Sequence, residues 1–201
     1  LSVLGVPATC YIPHRTEEGH GLSQRAVKEL ASQGITLLIT VDCGISSYNE
    51  VQEAASLGIE SIITDHHLPP SELPPACAIV DHQLPTSRYP FPSLTGSGTA
   101  LKVAQGLYKS VGQELPLGLF PLAALGTIAD IAPLVNENRS IVQRGLSEMR
   151  RSPSVGLRAL ARSAQLVEEL IDTEDIGWSL APRLNAAGRM GHAIGSYQLL
   201  T

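Results

Sequence analysis

Three places in this 201-residue chain set acidic and imidazole side chains where a sheet could present them together. Asp42 follows the apolar, β-branched run Thr36 to Val41; Asp65-His66-His67 follows a second such run, Ile59 to Thr64; Asp130 closes the stretch Gly126-Thr127-Ile128-Ala129. Carboxylate oxygens and imidazole nitrogens that converge are ligands for a divalent cation. If the two runs are neighbouring parallel strands, the groups after them share the carboxyl-end rim where open α/β sheets bind ligands. Each residue alone has a plainer reading: an aspartate after a strand commonly caps a helix, and Asp130 could be a surface residue ahead of Pro133. Two consecutive histidines behind an aspartate, facing a second strand-end aspartate, point to metal binding. Asp130, embedded in apolar sequence, needs an ion, a hydrogen-bond donor or a metal beside it, because burying a lone carboxylate is costly.

The elements that would position these groups can be read from pattern. Thr9 to Ile12 carries a short strand signal. Ser23 caps a helix that runs to about Gln33 and stops at Gly34. Thr36 to Val41 predicts a strand buried on both faces. Ser47 and Glu50 have capping-box spacing at the start of a second helix that ends at Gly58. Strands follow at Ile59 to Thr64 and Ala76 to Val80, the latter ending in Asp81-His82. Strand, helix and strand joined by short connections indicate parallel βαβ units. From Gly98 onward the period becomes helical, with helices predicted at 101–111, 116–131, 139–149, 155–164 and 173–180. The fold class is therefore α/β: a parallel sheet of βαβ units flanked by helices, followed by a mostly helical segment. The division predicted is a core at 1–135 and a helical extension at 136–201.

Composition narrows the function further. Apolar residues make up 43% of the chain, enough for a sizeable core, and charged residues only 16%, against ~25% in typical soluble domains. The longest uncharged window, Leu115 to Ala129, is broken by Pro116, Gly118, Pro121 and Gly126 and is shorter than the ~20 residues that span a bilayer. With no basic-then-apolar leader, no membrane or secreted location is expected. Cys10, Cys43 and Cys77 are too few and scattered for a disulfide framework or thiolate zinc site; they read as small packing residues in a reduced, cytoplasmic protein. The net charge of −5 has the wrong sign for holding nucleic acid by bulk electrostatics. Residues 139–162, however, carry six arginines to one glutamate, so any contact with a polyanion is sought there. A charged helix face is usually only solvated.

Val41-Asp42-Cys43-Gly44, Ile63-Thr64-Asp65-His66-His67 and Gly126-Thr127-Ile128-Ala129-Asp130, in that order, resemble the DHH phosphoesterase superfamily. Tyr11-Ile12-Pro13-His14-Arg15 through Glu18-Gly19-His20-Gly21-Leu22, Pro90-Phe91 with Gly96-Ser97-Gly98, and Pro182-Arg183-Leu184-Asn185-Ala186-Ala187-Gly188-Arg189-Met190 resemble its RecJ branch of single-strand-specific exonucleases. The resemblance implies metal-dependent phosphodiester hydrolysis with two Mn²⁺ or Mg²⁺ ions, acting 5′ to 3′ on single-stranded DNA in repair and recombination. It implies that Asp42, His66 and Asp130 are metal ligands, that Asp65 supports or joins them, and that His67 faces the scissile phosphate. Arg15 and Arg189 match positions that contact the substrate's terminal phosphate, a task suited to guanidinium forks.

The departures from the family pattern matter too. Its first aspartate-rich motif and its C-terminal domain lie beyond the two ends of this sequence, so the 201-residue piece alone is expected to bind Mn²⁺ weakly and to be inactive. Asp81-His82 stands where the family usually has Asn-Pro and is read as a loop cap. His192 replaces a frequent aspartate and receives no role; His14, His20 and His82 are read as loop residues. Gly96-Ser97-Gly98-Thr99 could be an anion-binding nest or a plain tight turn. Trp178 and a few Tyr and Phe do not make a wide stacking platform. Other functions weighed are a sister phosphodiesterase acting on short oligoribonucleotides, cyclic dinucleotides or pyrophosphate, and a degenerate scaffold without catalysis.

Overall fold

A computed structural model describes residues 1–14, 18–19, 21–188 and 193–201 in full, and the backbone of 189–190. The Ser23 hydroxyl accepts a hydrogen bond from the Ala26 N–H at 3.1 Å, which starts α1 (Gln24–Ser32) by satisfying one of the helix's orphan donors. The chain then forms β1 (Leu37–Val41), α2 (Tyr48–Ser56), β2 (Glu60–Thr64) and β3 (Ala78–Val80). The three strands are parallel, in the order β1-β2-β3. Val41 is level with Thr64, and Thr64 with Val80. One residue on, Asp42 N–H donates to the Thr64 carbonyl and Asp65 N–H to the Val80 carbonyl. Asp42, Asp65 and Asp81 therefore leave the sheet side by side, on the carboxyl-end rim.

Val27 of α1 and Ala54 of α2 pack with Ile59, the residue before β2, a cluster that seats both helices beside the sheet. Helix α3 (Gly96–Ser110) also lies against β1 and β2. Beyond it come α4 (Leu119–Ala129), α5 (Asn136–Arg151) and α6 (Val155–Ser163). A single turn, α7 (Thr173–Asp175), continues through a π-helical segment, Ile176–Leu180, into α8 (Ala181–Met190); α9 spans Ile194–Leu200. Leu125, Met149, Leu157, Leu160, Ile171, Ile176 and Leu180 form the core of this helical half. Phe91, Leu94, Leu101, Phe120 and Ile141 form a second cluster, which draws on α3, α4 and α5.

Several local expectations are corrected. Thr9 to Ile12 is not a strand: a strand exists through its ladder, and the segment pairs with no edge of the sheet. β1 is not buried on both faces. It is the edge of the three-stranded sheet, and Leu37 and Val41 are exposed. Ser47 precedes α2 without a side-chain cap bond, because its backbone (φ −94°, ψ 53°) is not extended. The third strand is shorter than predicted, and α3 begins five residues before Leu101, where the Thr95 hydroxyl accepts from Gly98 N–H at 3.0 Å. Gly96-Ser97-Gly98 is thus the first turn of a helix. Cys10 and Cys77 are exposed and do not pack in the core. No helix among the described residues is long and apolar enough to cross a membrane.

Candidate metal centre

Asp42 is the first residue past β1, and its backbone is left-handed (φ 62°), a conformation aspartate tolerates better than most residues. That turn directs its carboxylate against the start of α3, where a Cβ on Gly96 would sit 2.2 Å from Asp42 Oδ1. Only glycine leaves room there. Gly126 does the same for α4: a Cβ on it would meet Ser97 Oγ at 1.8 Å. Close approach of α4 to α3 carries Asp130, the residue that ends α4, to the rim.

His66 Nε2 lies 2.9 Å from Asp42 Oδ1 and 3.9 Å from Asp130 Oδ2. In an octahedral shell with metal–oxygen bonds of about 2.1 Å, adjacent ligand atoms are about 3.0 Å apart and opposite ones about 4.2 Å. The 2.9 Å separation is that of adjacent ligands, so Asp42 and His66 are spaced as neighbours in the shell of a small hard cation, with Asp130 close by. One donor atom each from Asp42, His66 and His67 also lies within a 4.8 Å cluster.

Asp65 plays a different part. Its side chain is only 1% exposed and both oxygens are spent. Oδ2 accepts from Ile45 N–H at 2.9 Å; Oδ1 accepts from His66 N–H at 2.8 Å and lies 2.7 Å from His67 Nδ1. Burial pushes this carboxyl up, but the Ile45 N–H, the His67 ring and the two histidine N–H groups outweigh it, so Asp65 titrates below its ordinary range. The same contact raises the His67 pKa and, by engaging Nδ1, leaves Nε2 as the open atom of a ring that is 60% exposed. A carboxylate behind an imidazole is the arrangement that orients ligand or proton-transfer histidines. Asp42 is held above its usual range by burial first, with His66 opposing and Asp130 reinforcing. A negative, partly desolvated pocket of this kind favours a cation. Burial, with Asp65 and Asp42 beside it, pushes the Cys43 thiol up to about 11, so it offers no thiolate.

Of the residues singled out from sequence, the structure brings together Asp42, Asp65, His66, His67 and Asp130. Arg15, His20 and His192 lie outside the described residues, as does the side chain of Arg189. His82 is a loop residue whose ring nitrogens are both buried; burial lowers its pKa. Asp81 does cap its loop, accepting from Gln83 N–H at 2.8 Å. The arginine-rich helices hold most of their charge internally: Arg151 pairs with Glu148, Arg158 and Arg162 with Glu168, Arg150 donates to the Ile171 carbonyl, and Arg144 stacks on Phe120. Gly96 and Gly126 stood in motifs read from sequence but without this packing role, and the Ile45 N–H was not identified. The two glycines, each beginning or crossing an apolar helix where alanine would favour the fold, were the available signal.

Residues 3–127 match the DHH family, N-terminal domain. The chain is 42% identical over 200 residues to the single-stranded-DNA-specific exonuclease RecJ of Bacillus subtilis, covering 100% of this chain and 25% of that protein. The Thermus thermophilus protein of the same name is 38% identical over 200 residues, covering 100% of this chain and 29% of its own length. The chain thus spans roughly a quarter to a third of these curated relatives. A crystal structure of exonuclease RecJ bound to manganese superposes with a TM-score of 0.89 at 38% identity, covering 99% of this chain and 50% of that one.

Proposed function

This chain belongs to the DHH family, and from that premise we propose that it is the metal-binding core of a 5′ to 3′ exonuclease that releases nucleoside 5′-monophosphates from single-stranded DNA. The observation that carries the proposal is the convergence of His66 Nε2 with Asp42 and Asp130, donors delivered by β2, β1 and α4. Asp42, His66 and Asp130 are the ligands for Mn²⁺ or Mg²⁺. When bound, such ions polarise a phosphoryl oxygen and lower the pKa of a coordinated water. Asp65 orients the histidine pair, and His67 presents Nε2 toward the scissile phosphate. Arg15 and Arg189 grip the terminal phosphate. Residues 1–135 form the core and 136–201 the helical extension. The identity with RecJ proteins across the full chain supports single-stranded DNA as substrate; the same reading assigns the protein a cytoplasmic role in repair and recombination.

The test uses the full-length protein that contains this chain, with Mn²⁺, on a long 5′-phosphorylated strand and on dinucleotides. Loss of the long strand from its 5′ end, abolished by Asp42→Ala or His66→Ala, is the expected result. Hydrolysis of dinucleotides alone reassigns the chain to a sister phosphodiesterase, and no hydrolysis of either makes it a scaffold.

A further inference from the structure

We infer that Gln83, a residue outside the ligand set, positions His66 for metal binding by bracing its backbone from the neighbouring rim loop. The inference rests on the reading of His66 as a ligand. Past Asp65 the chain leaves the β-ladder, whose final bond on this side is Asp65 N–H to the Val80 carbonyl at 3.1 Å. Beyond that point, the His66 and His67 N–H groups both turn back onto their own neighbour, Asp65 Oδ1. These bonds fix the local turn, and Asp65 Oδ2 ties it to the loop after β1 through the Ile45 N–H, but none of them ties it to the loop after β3. The Gln83 side chain supplies that tie: its Nε2–H donates to the His66 carbonyl across 17 residues of sequence.

Gln83 is itself held. Its N–H donates to Asp81 Oδ1 at 2.8 Å, and Asp81 is buried directly after β3. The path is therefore continuous: the end of β3, the Asp81 carboxylate, the Gln83 main chain and amide, and the His66 carbonyl. The Nε2 of His66 approaches Asp42 at 2.9 Å on the far side of the same residue. A ligand's ring holds that separation better when its backbone is also fixed from outside the cluster. Asp42 packs against Gly96, whereas no glycine among the described residues packs against His66, and the Gln83 amide braces it instead. Gln83 touches neither substrate nor ion in this scheme, so it is a positioning residue.

The experiment measures Mn²⁺ affinity of the metal-free full-length protein, by electron paramagnetic resonance of free Mn²⁺, beside its thermal unfolding midpoint. Gln83→Met keeps the length of the side chain and removes the donor. The expected result is about tenfold weaker Mn²⁺ binding, the lower end for loss of a group that orients a metal ligand, with the metal-free midpoint within about 4 °C of wild type. Gln83→Asn keeps the amide but falls one methylene short, and is expected to weaken binding equally; it carries the test if the methionine variant does not fold. His66→Ala, run in parallel, is expected to lose at least a hundredfold. Mn²⁺ binding by the folded Gln83 variant within twofold of wild type, with His66→Ala defective, overturns the brace and leaves the metal site standing. Wild-type binding by His66→Ala overturns both, since no ligand would remain to be positioned.

Discussion

The rim of the sheet and the helical half treat charge in opposite ways. In the helical half, acidic and basic groups neutralise each other locally: Glu168 takes both Arg158 and Arg162, and Glu148 takes Arg151. On the rim, Asp42 and Asp130 face a shared histidine with no lysine or arginine among their ion pairs in the described residues. The local count of charges in the sequence points to the arginines; the arrangement of charges in space points to the rim. A surplus of one sign is informative when the fold leaves it uncompensated.

The sharpest way to break this contrast is at Asp65, the buried carboxylate that organises the rim. Asp65→Ala strands the Ile45 N–H and the histidine N–H groups, and should cost about 3–5 kcal/mol in urea unfolding. A loss below about 1 kcal/mol would mean that the rim is not built on that residue. Two glycine substitutions separate the regions next. A Cβ on Gly145 of α5 would lie 2.5 Å from the Phe120 carbonyl oxygen of α4, so Gly145→Ala should cost about 1–3 kcal/mol by overpacking while Mn²⁺ affinity stays near wild type. Gly96→Ala should strike both. Its Cβ would sit 2.2 Å from Asp42 Oδ1 and 2.6 Å from Asp42 Cβ, a clash that side-chain rotation does not relieve, so Mn²⁺ binding falls at least tenfold and stability falls by about 1–3 kcal/mol. Titration calorimetry and denaturant curves on both variants check the pairing.

The smallest effect is a pH dependence confined to the helical side. Burial raises the Glu137 pKa, but the Lys102 ammonium at 2.8 Å and the Tyr89 hydroxyl at 2.5 Å outweigh it and hold this carboxyl below its usual range. A depressed carboxyl pKa stabilises the fold above the unfolded-state value and loses that contribution as pH falls through the folded-state value. Wild-type stability should therefore drop on acidification through and below the ordinary glutamate range. Glu137→Gln should lack that part of the drop, seen as a shallower fall in unfolding midpoint between pH 5 and pH 3. The Tyr89 hydroxyl, pushed upward by burial and by Glu137, stays protonated across that window and does not confuse the result.

Much of the rim was legible in sequence because it depends on strand ends. Two β-branched runs fix where β1 and β2 stop, and parallel register then carries Asp42 and Asp65 to one edge without further information. Asp130 was legible only as a carboxylate in an apolar setting. What brings it to His66 is the contact of Gly126 with Ser97, a long-range fit that no local pattern encodes. The strand signal at Thr9 to Ile12 failed for a related reason: propensity names a conformation, whereas a strand needs a neighbour's hydrogen bonds. The arginines of 139–162 were countable, but Glu168, which takes two of them, lies in the following turn. Pairing of that kind is decided by helix packing. Gln83 gave no signal at all, since an amide in a loop is among the least specific features a sequence offers.

The account stands on one claim, that Asp42, His66 and Asp130 hold a divalent cation together. Anomalous scattering from crystals of the full-length protein soaked in Mn²⁺ tests it directly. A manganese peak within about 2.5 Å of a carboxylate oxygen of Asp42, of His66 Nε2 and of a carboxylate oxygen of Asp130 is the predicted result. A fully occupied manganese elsewhere on the molecule, with these three side chains still paired only to one another, would contradict it.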